Sequence, residues 1–343
     1  MCRLDWKTIQ NGSSNCVKQC LQHDSPFSVG PNYLSQILVE LVKFANLVLT
    51  ITKSLACADR IQQVLDQEAG EGTTKEEPGQ VIGINAPAEP ELGIVHSEAI
   101  RFDHVSMHYL GVEVDALTDI SFQVKIGQTV GIIGGTGSGK STLVNLIPRF
   151  YDTTKGRIQV LGKDVKEQSL RVLRNQFGVV PQHATLFRGT IRENLLWGNG
   201  NATNEDLWDA LSIAQASDFV QSKPKGLDEM IEQNGRNISG GQRQRLTIAR
   251  ALVRKPAILI LDDSSSALDY STDAALRQAL RDLSGKVTVI VTSQRASTVR
   301  FSDLILVLED GALAGSGTHE QLLQKCQVYR EIYRSQLGGG GRA

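Results

Sequence analysis

The run Gly134-Gly135-Thr136-Gly137-Ser138-Gly139-Lys140-Ser141 follows directly on the apolar stretch Val130 to Ile133. Its form is G-x-x-x-x-G-K-S, set where a buried strand turns into a helix. Glycines there let successive backbone N–H groups curl around an anion, and a helix N-terminus adds partial positive charge. An ammonium at Lys140 suits β- and γ-phosphates, a hydroxyl at Ser141 suits a phosphate-bound Mg²⁺, and Thr142 completes the nucleotide-binding run. A Gly-rich turn before an ordinary helix is the competing reading. With every position filled and a strand in front, the pattern points to binding of a nucleoside triphosphate with Mg²⁺.

A second group belongs with the first. Ala257-Ile258-Leu259-Ile260-Leu261 is an apolar strand ending in Asp262. A carboxylate at a strand's C-terminal end, beside a phosphate loop, coordinates Mg²⁺ directly or through water. Acidic turns after buried strands are common in isolation; the phosphate loop is what selects the metal role.

These residues need a scaffold, and the 343-residue chain is long enough for one large or two ordinary domains. A composition 41% hydrophobic and 21% charged is ordinary for a globular protein. The formal net charge of −1 supplies no basic excess for neutralising nucleic-acid phosphates, so no nucleic-acid partner is expected. Cys2, Cys16, Cys20, Cys57 and Cys326 are scattered and odd in number, which suits free thiols in a reducing compartment. No basic region followed by an apolar core and cleavage site opens the chain.

Residues 1–32 are polar and without period, and poor order is expected there. Residues 33–65 lack Gly and Pro and carry Ile37, Leu38, Leu41, Val42, Ala45, Val48, Leu49 and Leu55, a spacing that predicts one long helix. Glu40, Lys43, Asn46 and Lys53 interrupt the apolar run. They favour an amphipathic helix seeking a partner slightly over an autonomous membrane span, and Glu40 can pair with Lys43. Residues 66–98, rich in Gly, Glu, Pro and Thr, read as a linker. Ile100 to Val105 and Ile120 to Val124 alternate as half-buried antiparallel strands. Val130 to Ile133, Ala257 to Leu261 and Thr288 to Val291 suit parallel strands covered on both faces. Residues 191–219 are helical in pattern, Pro148, Pro181, Pro224 and Pro256 fall between elements, and residues 338–343 read as a flexible tail.

One further stretch makes the pattern specific. Ile238-Ser239-Gly240-Gly241-Gln242-Arg243-Gln244-Arg245-Leu246 closely resembles the signature of ATP-binding cassette (ABC) proteins, with Ile in place of the usual Leu. Tyr109 looks like the family's adenine-stacking aromatic, Gln182 in Val180-Pro181-Gln182 like its Q-loop glutamine and a Mg²⁺ contact, and Ser266-Ala267-Leu268-Asp269 like its D-loop. The resemblance covers residues from about 100 to 335. It implies an α/β P-loop NTPase fold over residues 99–337: a RecA-like core, an antiparallel β subdomain and a helical signature subdomain, preceded by one long helix. That helix is similar to the last membrane-domain helix of exporter half-transporters. Ser239 reads independently as the N-cap of a helix through Leu246, Ile248, Ala249 and Leu252, which leaves its hydroxyl and the Gly240 and Gly241 amides as a second anion site. In the family, two cassettes pack head-to-tail and each signature completes the partner's site.

Two positions depart from the family pattern. The usual Glu after the magnesium aspartate, which polarises the attacking water, is Asp263. Withdrawing a carboxylate by roughly one ångström can cost about 10²-fold in rate. The switch histidine is replaced by Gln294, whose amide can hydrogen-bond a γ-phosphate but cannot exchange a proton near neutral pH. Together they resemble the degenerate half of a heterodimeric ABC exporter. The resemblance implies an ATPase with a slow site of its own, a second half-transporter subunit as partner, a membrane domain, and a place on the cytoplasmic face of the membrane. Two other readings stay open: a truncated ATP-binding protein that transports nothing, since at most the end of one membrane helix is present, and a soluble ABC ATPase of translation or DNA repair.

Overall fold

The computed structural model describes residues 29–65 and 97–337, apart from residues 113, 265 and 284. The expected N-terminal segment up to residue 28, the linker over residues 66–96 and the tail over 338–343 lie outside the described residues. The chain divides into two compact units, residues 1–70 and 71–343.

In the first unit a single helix runs over Val29–Leu65. It starts four residues earlier than the Gly- and Pro-free stretch suggests, and Pro31 sits inside its first turn. Proline costs nothing there, because the first N–H groups of a helix have no intrahelical acceptor to lose. Lys43 Nζ donates to Glu40 Oε1 at 2.8 Å, the pair expected from their spacing. Thr50 and Thr52 donate back to the carbonyls of Asn46 and Val48, so their hydroxyls are satisfied without water. Exposed Ile37, Leu38, Val39, Leu41, Val42, Phe44, Leu47, Leu49 and Ile51 recur around the whole circumference. That departs from a one-sided amphipathic stripe and suits an apolar surround. By length and composition Tyr33–Gln62 is able to cross a membrane.

The second unit holds the strands β1 (Glu98–Met107), β2 (Leu117–Lys125), β3 (Thr129–Gly134), β4 (Lys155–Val160), β5 (Lys163–Asp164), β6 (Phe177–Val180), β7 (Gly189–Thr190), β8 (Met230–Ile231), β9 (Ile258–Asp262), β10 (Thr288–Ser293), β11 (Leu304–Glu309) and β12 (Ala312–Gly317). One antiparallel sheet has the order β2-β1-β4-β5. A six-stranded sheet has the order β12-β11-β3-β10-β9-β6 and is parallel except at its β12 edge. The sequence-expected strands are all present, with β1 and β2 antiparallel and β3, β10 and β9 adjacent and parallel.

Alternation along the central strands divides the core, because successive side chains of a strand point to opposite faces. Ile258, Ile260, Ile290, Leu306 and Leu308 pack with β1, β2 and β4 into a core between the two sheets. Leu259, Leu261 and Val289 face the helices Ile191–Leu196, Asn204–Ile213 and Gly240–Val253. Ile133, Ile305 and Val307 face the two C-terminal helices, His319–Lys325 and Gln327–Leu337. Buried on both faces, the parallel strands read as continuous apolar runs, and their C-terminal ends are left to carry polar groups.

Candidate phosphate and metal site

The site forms where β3, β10 and β9 end side by side. Their register puts Ser293 opposite Ile133 and Thr292 opposite Asp262. Residues 134–139 then leave β3 and enter the helix Lys140–Leu146. Two glycines are dictated by geometry. Gly139 has φ +92°, and a Cβ on it would lie 2.7 Å from Leu117 Cδ2. A Cβ on Gly134 would collide with the Leu308 carbonyl and with Ser138 Oγ. At Gly135 and Gly137 a Cβ would meet nothing within 4 Å, so the open side of the loop has room for a ligand. Thr136 is exposed on that side and Ser138 is buried beneath it.

Lys140 is 9% exposed, and its Nζ donates to the carbonyls of Gly134 at 3.0 Å and Gly135 at 2.6 Å and to Ser138 Oγ at 3.4 Å. Burial lowers its pKa, opposed by the charges of Asp263 and Asp262. The ammonium is thus held under the loop with carboxylates close by, where a polyanion can claim it.

A line of oxygen ligands runs beside it. Ser141 Oγ donates to Asp262 Oδ1 at 3.2 Å. Thr292 Oγ1 donates to the same oxygen at 2.6 Å and accepts from the Asp263 N–H at 2.9 Å. Gln182 Nε2 lies 3.5 Å from Asp263 Oδ2. Ser141, Asp262 and Gln182 are hard oxygen donors of the kind Mg²⁺ takes while keeping several waters. The contact already formed between Ser141 and Asp262 fits such an ion. The Asp263 pKa is raised, first by burial and then by Asp262, against the pull of Lys140 and Arg295. Asp263 also has φ +44°, a left-handed conformation that Asp adopts more readily than most residues.

Other expected residues are placed as follows. Tyr109 Oη is 2.9 Å from Thr142 Oγ1, and its ring meets Tyr151 edge-on at 5.2 Å between centroids, which ties the segment after β1 to the loop's helix. Ser239 caps the helix Gly240–Val253: its Oγ accepts from the Gln242 N–H at 3.2 Å while Gln242 Oε1 accepts from the Ser239 N–H at 3.0 Å. Gly240 beside it is exposed, and Gly241 is half-buried. The hydrogen bonds of Ser239 and Gln242 stay within their own helix end, so the structure does not join the signature to this chain's own phosphate loop. Asp269 caps the helix Tyr270–Asp282 and accepts from Ser271 Oγ at 2.6 Å, the Thr272 N–H at 2.9 Å and Thr272 Oγ1 at 2.8 Å. Those bonds hold its carboxyl far below the usual range. Gln294 is exposed immediately beyond β10.

Sequence reasoning assigned no role to Thr292 or to Gln336. Thr292 reads as an ordinary β-strand residue, and only register reveals that its hydroxyl bridges Asp262 and Asp263. Gln336 Nε2 donates to the Gln294 carbonyl at 2.7 Å, and its Oε1 accepts from the Ala296 N–H at 2.8 Å.

Residues 117–266 match the family model described as ABC transporter. The chain is 43% identical over 310 residues to YfiB of Bacillus subtilis (strain 168), an uncharacterized ABC transporter ATP-binding protein, covering 90% of this chain and 51% of that protein. It is 43% identical over 242 residues to an ATP-dependent lipid A-core flippase of Vibrio vulnificus (strain CMCP6), covering 70% of this chain and 42% of the flippase. Among solved structures, that of a bacterial Atm1-family ABC exporter with ATP bound superposes with a TM-score of 0.73 at 32% identity, over 90% of this chain and 52% of the exporter chain. The chain therefore spans about half the length of these relatives.

Proposed function

We propose, from the premise that this chain carries an ABC transporter ATP-binding domain, that it is the ATP-binding and ATP-hydrolysing part of an exporter. MgATP binding and hydrolysis would be coupled to movement of substrate across a membrane. The observation that carries this reading is Lys140 buried under the phosphate loop beside the Ser141–Asp262 contact. The triphosphate would lie along residues 134–139, with Lys140 on the β- and γ-phosphates and Ser141, Asp262 and Gln182 around Mg²⁺. When bound, the ion neutralises charge on the β- and γ-oxygens. Tyr109 would stack on the adenine.

Hydrolysis requires a water oxygen to attack the γ-phosphorus while the bond to the β–γ bridging oxygen breaks. Asp263 is the group to orient that water, one methylene short of a glutamate, and Gln294 is the group to hold the γ-phosphate. Both substitutions support a slow site on this chain. The intact Ser239 to Gln242, with Asp269 of the stretch that resembles a D-loop, supports completion of an efficient site on a second half-transporter subunit, in a heterodimer at the cytoplasmic face of the membrane. The exposed apolar helix Tyr33–Gln62 supports attachment to a membrane domain.

The test is repair. In a complex assembled with a cassette that carries Glu and His at these two positions, Asp263→Glu with Gln294→His should raise single-turnover hydrolysis at this chain's own site by roughly 10²-fold. Unchanged turnover, with fold and ATP occupancy intact, would remove the slow-site reading. A parent chain that binds no MgATP would remove the whole proposal.

A further inference from the structure

The helix Gln327–Leu337 returns to the loop that carries Gln294. It is seated by Tyr329, which is fully buried against Ile133, Val299, Ile305, Val307 and Leu322, with Ile332 and Tyr333 packed at the side. Beyond this apolar seat, Gln336 reaches the turn between β10 and the short helix Ala296–Val299. Its amide donates to the Gln294 carbonyl and accepts the Ala296 N–H, so one side chain spans Arg295 and grips the backbone immediately after Gln294. Ser293 Oγ accepts the Arg295 N–H between them at 3.0 Å.

A primary amide is suited to this task, because it presents a donor and an acceptor side by side without charge. A carboxylate would set a second acceptor against the Gln294 carbonyl. These bonds, together with Ser293 Oγ on the Arg295 N–H, fix the peptide plane that follows Gln294 and the plane after it, and so hold the loop on the C-terminal side of Gln294. Gln336 is exposed, and the seat beneath the helix is made by other residues, so docking of the helix does not depend on it. Its polar contacts go to the loop alone.

We infer that Gln336 is a positioning residue: it holds the Gln294 loop in the orientation that meets a γ-phosphate, and so tunes preference for ATP over ADP. This role rests on the function proposed above. Gln336→Leu removes both bonds at similar volume. Gln336→Glu keeps the acceptor toward Ala296 and loses the donor toward Gln294.

The experiment is calorimetric titration of the full chain with MgATP and with MgADP, for the parent, Gln336→Leu, Gln336→Glu, Gln294→Ala and the double variant Gln294→Ala/Gln336→Leu. The ratio of ATP to ADP affinity should fall roughly three- to tenfold in Gln336→Leu, on the scale of one hydrogen bond. ADP affinity and melting temperature should stay near the parent's, and Gln336→Glu should fall as well. In the Gln294→Ala background Gln336→Leu should change nothing more, since a residue acting through Gln294 is not additive with its loss. An unchanged ratio in Gln336→Leu, or full additivity in the double variant, overturns the positioning role while leaving nucleotide binding standing. Absence of MgATP binding in the parent overturns the functional reading and the positioning role with it, and an unchanged ratio in Gln294→Ala removes Gln294 from the γ-phosphate and overturns the positioning role alone. If Gln336→Leu does not fold, Gln336→Glu decides by the same ratio.

Discussion

Thr292 Oγ1 donates to Asp262 Oδ1 at 2.6 Å, across the parallel register that pairs those two residues at the ends of β10 and β9. The same oxygen accepts the Asp263 N–H. A fully buried hydroxyl thus orients the carboxylate proposed for Mg²⁺ and satisfies the backbone of the residue proposed to face the water.

Thr292→Val is therefore expected to destabilise the fold by about 1–3 kcal/mol, because it leaves the Asp263 N–H without a partner and takes from Asp262 Oδ1 the shorter of its two donors, Ser141 remaining. Thr292→Ser should recover most of the loss. Urea denaturation midpoints check this, and equal midpoints for Thr292→Val and the parent would refute the bridge.

Lys140→Ala should weaken MgATP binding by roughly 10- to 100-fold, the range of a hydrogen bond to a charged group. The fold should survive, since Lys140 bonds only the loop's own carbonyls and Ser138. Calorimetry reads the affinity and circular dichroism the fold. Parent-like affinity would remove Lys140 from the site.

Ser239→Arg should abolish most ATPase activity of a mixed dimer while leaving ATP binding at Lys140 intact. Asp263→Asn should cost that dimer little. Steady-state hydrolysis with each change on this chain alone is the measurement. Equal damage from the two would mean that this chain's own site carries turnover.

His319 provides a pH test of the C-terminal seat. Its Nδ1 is 2.8 Å from Tyr329 Oη, and burial, then the charge of Arg300, lowers its pKa in the fold. The buried Tyr329 hydroxyl is pushed up to about 12. Below an unfolded value of about 6.5 the unfolded chain binds more protons at His319 than the folded one. Stability from this group is complete above that value and falls as pH drops toward the folded pKa. The melting temperature should decline as pH falls below about 6.5, and less so in His319→Gln. Identical pH profiles would contradict it.

Much of this was legible in the residues. Gly134 to Ser141 require an apolar strand in front and a helix behind, and β3 and the helix Lys140–Leu146 supply them. Ser239 announces its cap because Gln242 stands three residues on. Thr292 stayed invisible because a threonine in a strand is ordinary, and its role depends on which strands pair and in what register. Gln336 stayed invisible because it meets Gln294 from 42 residues away through backbone atoms, which leave no mark on side-chain pattern. The early helix start at Val29 was missed because Gly30 and Pro31 break a pattern, yet both are harmless in a first turn.

The position of β10 between β3 and β9 limits how this region can change in length. Each residue added to or removed from β10 would slide Thr292 and Gln294 by about 3.3 Å and turn their side chains to the opposite face. No compensating shift in one neighbour could satisfy the other. Insertions and deletions should therefore be absent from Thr288 to Gln294, whichever amino acids fill the positions of that span that face neither Asp262 nor the phosphate loop.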